Sequence, residues 1–186
     1  MWVYWLLFVL IGWNALSKMR PVYAGSRTSY QGIRGVGWFI ILVLLIGYRH
    51  EVGGDWQAYL IAVEKAAEKP ILRYAWFGAD QGYSLLNWLG ANIGGGIYFV
   101  NTVCAALFCW GLFTYCRFQP RPELALMIAV PVLIIVIGMG YTRQAVGIGM
   151  GMIALIALQN GRFIRFLVFV ILAALFHKTA LILLPF

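Results

Sequence analysis

From Leu124 to Leu158 the chain carries one formal charge, Arg143. A helix of a soluble domain shows polar and charged residues along its outer face at every turn, so a stretch of this kind belongs in an apolar medium. It reads as a hairpin of two spans that turns at Met139-Gly140-Tyr141-Thr142. The rest of the chain agrees with it. Hydrophobic residues make up 63% and charged residues 11%, against about 45–50% and about 25% in soluble domains. The expected fold is an all-α, polytopic membrane helical bundle, with residues 1–186 forming a single transmembrane domain.

Apolar runs place six spans at 2–16, 35–48, 97–116, 124–140, 144–158 and 163–176. Several fall short of the ~20 residues a straight crossing requires, so they extend into their flanks, thin the bilayer, or end against protein and water. The first run has no basic residue ahead of it and is followed by Lys18 and Arg20, which predicts a retained helix rather than a signal peptide. Loops 17–34, 117–123 and 159–165 together hold eight basic residues against Glu123 alone. Loops 49–82, 141–144 and 177–178 hold six basic residues against five acids. Counting basic residues in the short loops sets the first group inside, and hence the N-terminus and loop 49–82 outside. The net charge of +8 is then a topology signal that needs no nucleic acid.

The outer loop has its own pattern. Trp56, Tyr59, Leu60, Val63 and Ala67 recur at helical spacing between Asp55 and Pro70, as in an amphipathic helix at the interface. A second helix is expected from Tyr83 to Ile93, leading through Gly94-Gly95-Gly96 into the third span. Aromatic residues near span ends, among them Trp2, Trp38, Tyr48 and Trp56, read as interfacial anchors. Gly147, Gly149 and Gly151 read as a helix-packing face. Cys104, Cys109 and Cys116 read as small apolar filler, since their spacing gathers no thiolates and no His neighbours them; no metal or cofactor is expected.

Mixed polar chemistry gathers on the outer side in three clusters: Tyr48-Arg49-His50-Glu51 through Asp55 to Tyr59, then Tyr141-Thr142-Arg143-Gln144, then His177-Lys178-Thr179. Each has a plain structural account. Asp55 can cap a helix, Arg49 can snorkel to headgroups, and His50 and Glu51 can be solvated loop residues. Arg143 resists such an account. Its flanking spans cover roughly 25 and 22 Å at 1.5 Å per residue, short of a ~30 Å core, so it lies below the surface and needs a counter-ion, a hydrated cavity or an anionic ligand. His177 beside Lys178 suits a proton acceptor or a phosphate clamp.

At these clusters the sequence resembles the EpsG family of Wzy-like polysaccharide polymerases. The resembling elements are Arg49 with Gly54-Asp55 and Tyr59, Gln81-Gly82-Tyr83 before a Leu-rich helix, and Arg143-Gln144 opening a span. Phe163-Ile164-Arg165-Phe166 leading to Phe176-His177-Lys178-Thr179-Ala180 completes the series. The family pattern usually has Glu where this chain has Gln81, and its members are longer, so the resemblance makes the chain an N-terminal part. It implies polymerisation of undecaprenyl-diphosphate-linked oligosaccharide units at the outer face of the bacterial inner membrane, with membrane lipid and other polysaccharide assembly proteins as partners. Arg143 would then stabilise the departing diphosphate, and Asp55 or His177 would deprotonate the acceptor hydroxyl. Arg49, Glu51, Tyr59, Gln144 and Lys178 would bind substrate. A secondary transporter or flippase-like protein for an anionic or lipid-linked substrate is the alternative, and a related ligase is a third.

Overall fold

The computed structural model describes residues 2–17, 33–68, 70 and 80–185, and every regular element among them is helical. The helices are α1 (Trp2–Leu16), α2 (Ile33–Gly47), α3 (Trp56–Ala67), α4 (Gln81–Ile93), α5 (Gly96–Arg117), α6 (Pro122–Gly138), α7 (Thr142–Gln159) and α8 (Phe163–Phe176), followed by a 3₁₀ segment, Lys178–Leu183. A helix stands at each of the six places where a span is expected and at both loop positions, with ends shifted by a few residues. Among the described residues, α5 is the one helix that is both long and apolar enough to cross a membrane; α1, α6, α8 and the Gly35–Gly47 stretch of α2 are apolar but shorter. Lys18, Arg20, Arg27, Lys69 and Arg73, which entered the charge count, lie outside the described residues.

The long helix α5 is the axis. One side of it packs with α2 and α6 through Leu42, Ile46, Phe108, Leu112 and Ile134, and α1 covers α6 from outside. Its other side packs with α3, α4, α7 and α8 through Val100, Cys104, Val146, Phe166 and Val170. Contact with α7 is close enough to exclude a side chain: a Cβ on Gly111 would stand 2.0 Å from the Gly149 carbonyl oxygen. Of the glycine series on α7, Gly149 thus faces α5, while Gly147 faces His177 at the end of α8 and Gly151 faces Leu183 of the 3₁₀ segment. The three cysteines are buried free thiols along α5.

Apolar residues also cover the outside. On α1, Trp2, Trp5, Val9 and Trp13 are exposed while Ile11, Gly12 and Ala15 are buried. In α4 the stripe turned inward is Tyr83, Ser84, Asn87 and Gly90, and Leu85 faces out. That is the reverse of a helix on a soluble protein. On α5, the Thr102 and Thr114 hydroxyls donate to carbonyls four residues back, a way to satisfy a hydroxyl without water. Trp56 departs from expectation: it is 5% exposed and lies edge-on beneath the His50 ring, so it packs the loop instead of anchoring it. Likewise α3 lays Trp56, Tyr59, Val63 and Ala66 against the protein, with Ala66 in the place expected for Ala67.

From Val130 to Gly138, α6 is a π-helix. Pro131 lacks the N–H that an α-helical turn needs and its ring crowds the preceding turn; a wider winding accommodates both. Strict up-and-down connection brings the ends of α2, α6 and α8 and the starts of α5 and α7 to one end of the bundle. Gly53 seals the loop onto that end. It has φ +99°, and a Cβ there would come within 2.7 Å of the Gly140 carbonyl oxygen, so only glycine allows loop 48–55 to lie on the α6–α7 turn.

Candidate functional site

Arg143 stands in the first turn of α7, where the helix dipole disfavours a cation. It is held there by others. Its Nη1 donates to Asp80 Oδ2 at 2.8 Å, and the guanidinium lies over the rings of Tyr59 and Tyr83, 5.9 and 5.8 Å from their centroids, within cation–π range. The two rings are themselves 5.6 Å apart. Tyr59 in turn donates its hydroxyl to Asp55 Oδ2 at 3.3 Å. The Asp80 side chain is 8% exposed and that of Arg143 37%, so the acid is sealed and the cation retains an open edge.

Asp55 and Asp80 occupy the N-cap positions of α3 and α4, and neither side chain makes a cap hydrogen bond. An N-cap carboxylate ordinarily accepts from its own helix, which contributes about 1 kcal/mol. Here both are turned to the Tyr59–Arg143 assembly. The first turns of three helices, α3, α4 and α7, meet at one cluster, and their dipoles favour negative charge there. Burial raises the titration of the Tyr59 and Tyr83 phenols above their usual range, so both remain neutral.

Arg49 lies behind this cluster. It is 4% exposed, too deep to snorkel. Its Nη1 donates to the Gly138 carbonyl at 2.7 Å and its Nη2 to Thr142 Oγ1; the Thr142 hydroxyl donates to Asn101 Oδ1 at 3.3 Å. No carboxylate lies within ion-pair distance of it among the described residues. Its partner is the C-terminal end of α6, whose last carbonyls lack helical donors and carry partial negative charge. Arg49 therefore ties the end of α6 to the start of α7, directly before Arg143.

The remaining expected residues are spread around this rim. Glu51 is exposed and has φ +51°, a conformation uncommon for any residue but glycine. His50 pairs its Nδ1 with the Tyr98 hydroxyl at 2.7 Å and stacks on that ring. Gln144 and His177 line an apolar trough on the neighbouring face of α7. Helix α8 ends at Phe176, His177 is extended, and the chain folds back along α7 as the 3₁₀ segment; a Cβ on Gly147 would lie 3.1 Å from the His177 Cβ. Lys178 is exposed at the rim. The structure thus gathers Arg143, Asp55 and Tyr59, sets Arg49 beneath them, and holds Glu51, Gln144, His177 and Lys178 apart.

Asp80 and Asn101 are site residues that no sequence motif marks, and Tyr83 and Thr142 stand in motifs that gave them no role of their own. A signal for Asp80 existed: it is the one acid between Glu68 and Glu123 and directly precedes Gln81-Gly82-Tyr83. Gln81 itself is exposed. The family model of EpsG matches residues 36–186. No curated protein and no solved structure matches the chain. With Asp55, Tyr59, Asp80, Tyr83 and Arg143 all inside that matched span, the chain belongs to the EpsG family.

Proposed function

We propose that the protein is a multi-pass enzyme of the bacterial inner membrane that joins oligosaccharide repeat units carried on undecaprenyl diphosphate. The outward apolar faces of α1, α2, α6 and α8 support a lipid environment, and the basic loops support an outer N-terminus and an outer cluster. Family membership supports the substrate class. The observation that carries the reading is Arg143: a half-open guanidinium set between Asp80 and two phenols where three helix N-termini meet.

In the proposed reaction, an acceptor sugar hydroxyl attacks the anomeric carbon of the growing chain. The new C–O bond forms as the bond to diphosphate breaks, and the diphosphate leaves with the electron pair. Arg143 meets the charge that develops on it, an interaction strongest in the transition state. Asp55, already held by the Tyr59 hydroxyl, takes the acceptor proton, with His177 as the other candidate base. Glu51, Gln144 and Lys178 contact substrate from the rim, and the buried Tyr59 supports Asp55 and Arg143 from within the cluster. Arg49 has a positioning role, since it fixes Thr142 and through it the register of Arg143.

Full-length protein in liposomes, given a defined undecaprenyl-diphosphate repeat unit, is expected to produce a ladder of products. One transfer onto a foreign acceptor would make it a ligase, and movement of the intact lipid across the bilayer without new glycosidic bonds would make it a transporter.

A further inference from the structure

One stripe of α7 adds no buried residue to either hydrophobic core, although Met152 borders the first. Gln144, Gly147, Ile148, Gly151, Met152 and Leu155 follow one another at helical spacing and floor a trough of about 520 Å³, within the size of ligand cavities. Leu133 of the π-helical part of α6 lies on one side, and Ala180, Ile182 and Leu183 of the 3₁₀ segment lie on the other. At 1.5 Å per residue the stripe runs for roughly 16 Å. Two bare glycines allow the chain after α8 to stand against α7: a Cβ on Gly147 would lie 3.1 Å from His177 Cβ, and one on Gly151 would lie 3.2 Å from Leu183 Cδ1.

Polarity and charge are distributed along the trough in one direction. Gln144, His177 and Thr179 sit at its mouth. Arg143 precedes Gln144 in the chain, and Lys178 is exposed beside His177, so cations flank the same end. Below the mouth the walls are aliphatic as far as Tyr115. A peptide or sugar chain laid there would bury donors and acceptors without partners, which is unfavourable for each one left unpaired. A ligand with an anionic head and a hydrocarbon tail meets both halves.

We propose that this trough holds the isoprenoid tail of the lipid-diphosphate substrate, with the diphosphate at Gln144 and His177 and within reach of Arg143. The choice of an isoprenoid over another lipid rests on the polymerase reading. The trough and the Arg143 cluster share the first turn of α7, so the tail site delivers the leaving group to the cation that receives its charge.

The test uses the full-length protein in nanodiscs and a polyprenyl diphosphate that bears a photoreactive diazirine on its tail and no sugar. Crosslinks are expected on Met152, Leu155 and Leu183, at least tenfold weaker in Gly151→Leu, which fills the floor. Leu155→Trp blocks the same trough and serves where Gly151→Leu does not fold. Unlabelled polyprenyl phosphate is expected to compete, and phosphatidylglycerol is not. Crosslinks confined to other helices, or equal competition by phosphatidylglycerol, overturn the proposal. No turnover is scored, so the two readings fail separately. Trough labelling in a protein that yields no product ladder overturns the polymerase and leaves the tail site standing. A ladder without trough labelling does the reverse.

Discussion

The Arg143 guanidinium donates to the Asp80 carboxylate at 2.8 Å, and Asp80 is the N-cap residue of a helix whose side-chain cap it leaves unmade. The acid gives up a local hydrogen bond to hold a cation 63 residues away. Arg143→Ala is expected to lower polymer formation in vitro at least ~100-fold, the scale seen on removing a group that stabilises transition-state charge. Asp80→Asn is expected to fall less in rate and to be non-additive with Arg143→Ala, because the two act as one unit. Equal and additive losses in the double variant would show that the pair does not work together.

Arg49 makes a different prediction, because it is 4% exposed and its guanidinium is turned to Gly138 and Thr142. Arg49→Ala leaves the Gly138 carbonyl and the Thr142 hydroxyl without their donor, at a cost of roughly 1–3 kcal/mol each. Thermal unfolding in detergent is expected at lower temperature, with a matching loss of rate. Arg49→Lys, which offers a point charge in place of a fork, is expected to recover only part of both. Full stability with weakened substrate binding would instead make Arg49 a ligand contact.

Two glycines on neighbouring helices should respond oppositely to the same change. Gly111→Ala puts a methyl group into the Gly149 backbone, which α5 and α7 can accommodate only by moving apart, so folded yield is expected to collapse. Gly37→Ala on α2 meets nothing within 4 Å and is expected to stabilise by roughly 0.5–1 kcal/mol through helix propensity. Size-exclusion profiles of the two variants, side by side, check this.

Alkaline pH should loosen the α3–α4 contact. Burial raises the Tyr83 phenol above its usual value near 10, so the folded state retains a proton that the unfolded chain releases. The stabilisation is complete below pH ~10 and is lost as pH rises above it. The Tyr83 hydroxyl is also buried without a hydrogen-bond partner. Tyr83→Phe keeps the ring under Arg143 and is expected to be neutral or mildly stabilising at pH 7, with a flatter loss of stability above pH 10. Unfolding followed from pH 7 to 11 in both proteins measures it.

The helices were legible because a 63% apolar chain leaves its few polar residues to mark every end. Arg143 was legible for a related reason: one charge in a long apolar stretch needs an explanation. Its partner was not. Asp80 lies in a different helix, and nothing local distinguishes an acid that caps from one that reaches across a bundle. Arg49 shows the same limit from the other side. At a span end, local sequence favours snorkelling, and only the π-helical end of α6 and its free carbonyl draw the side chain inward. Spacing located the α3 face to within one residue, yet exchanged Ala66 for Ala67, because period alone does not fix the direction of the neighbouring helix.

The Arg49 network also sets an order of biogenesis. Gly138 and Thr142, its two direct partners, are synthesised 89 and 93 residues after it. Until the α6–α7 hairpin has been made and docked, the guanidinium lacks both of these partners, so the end of α2 stays unanchored. Dehydration of one side chain then marks the moment at which separate helices become a single packed body.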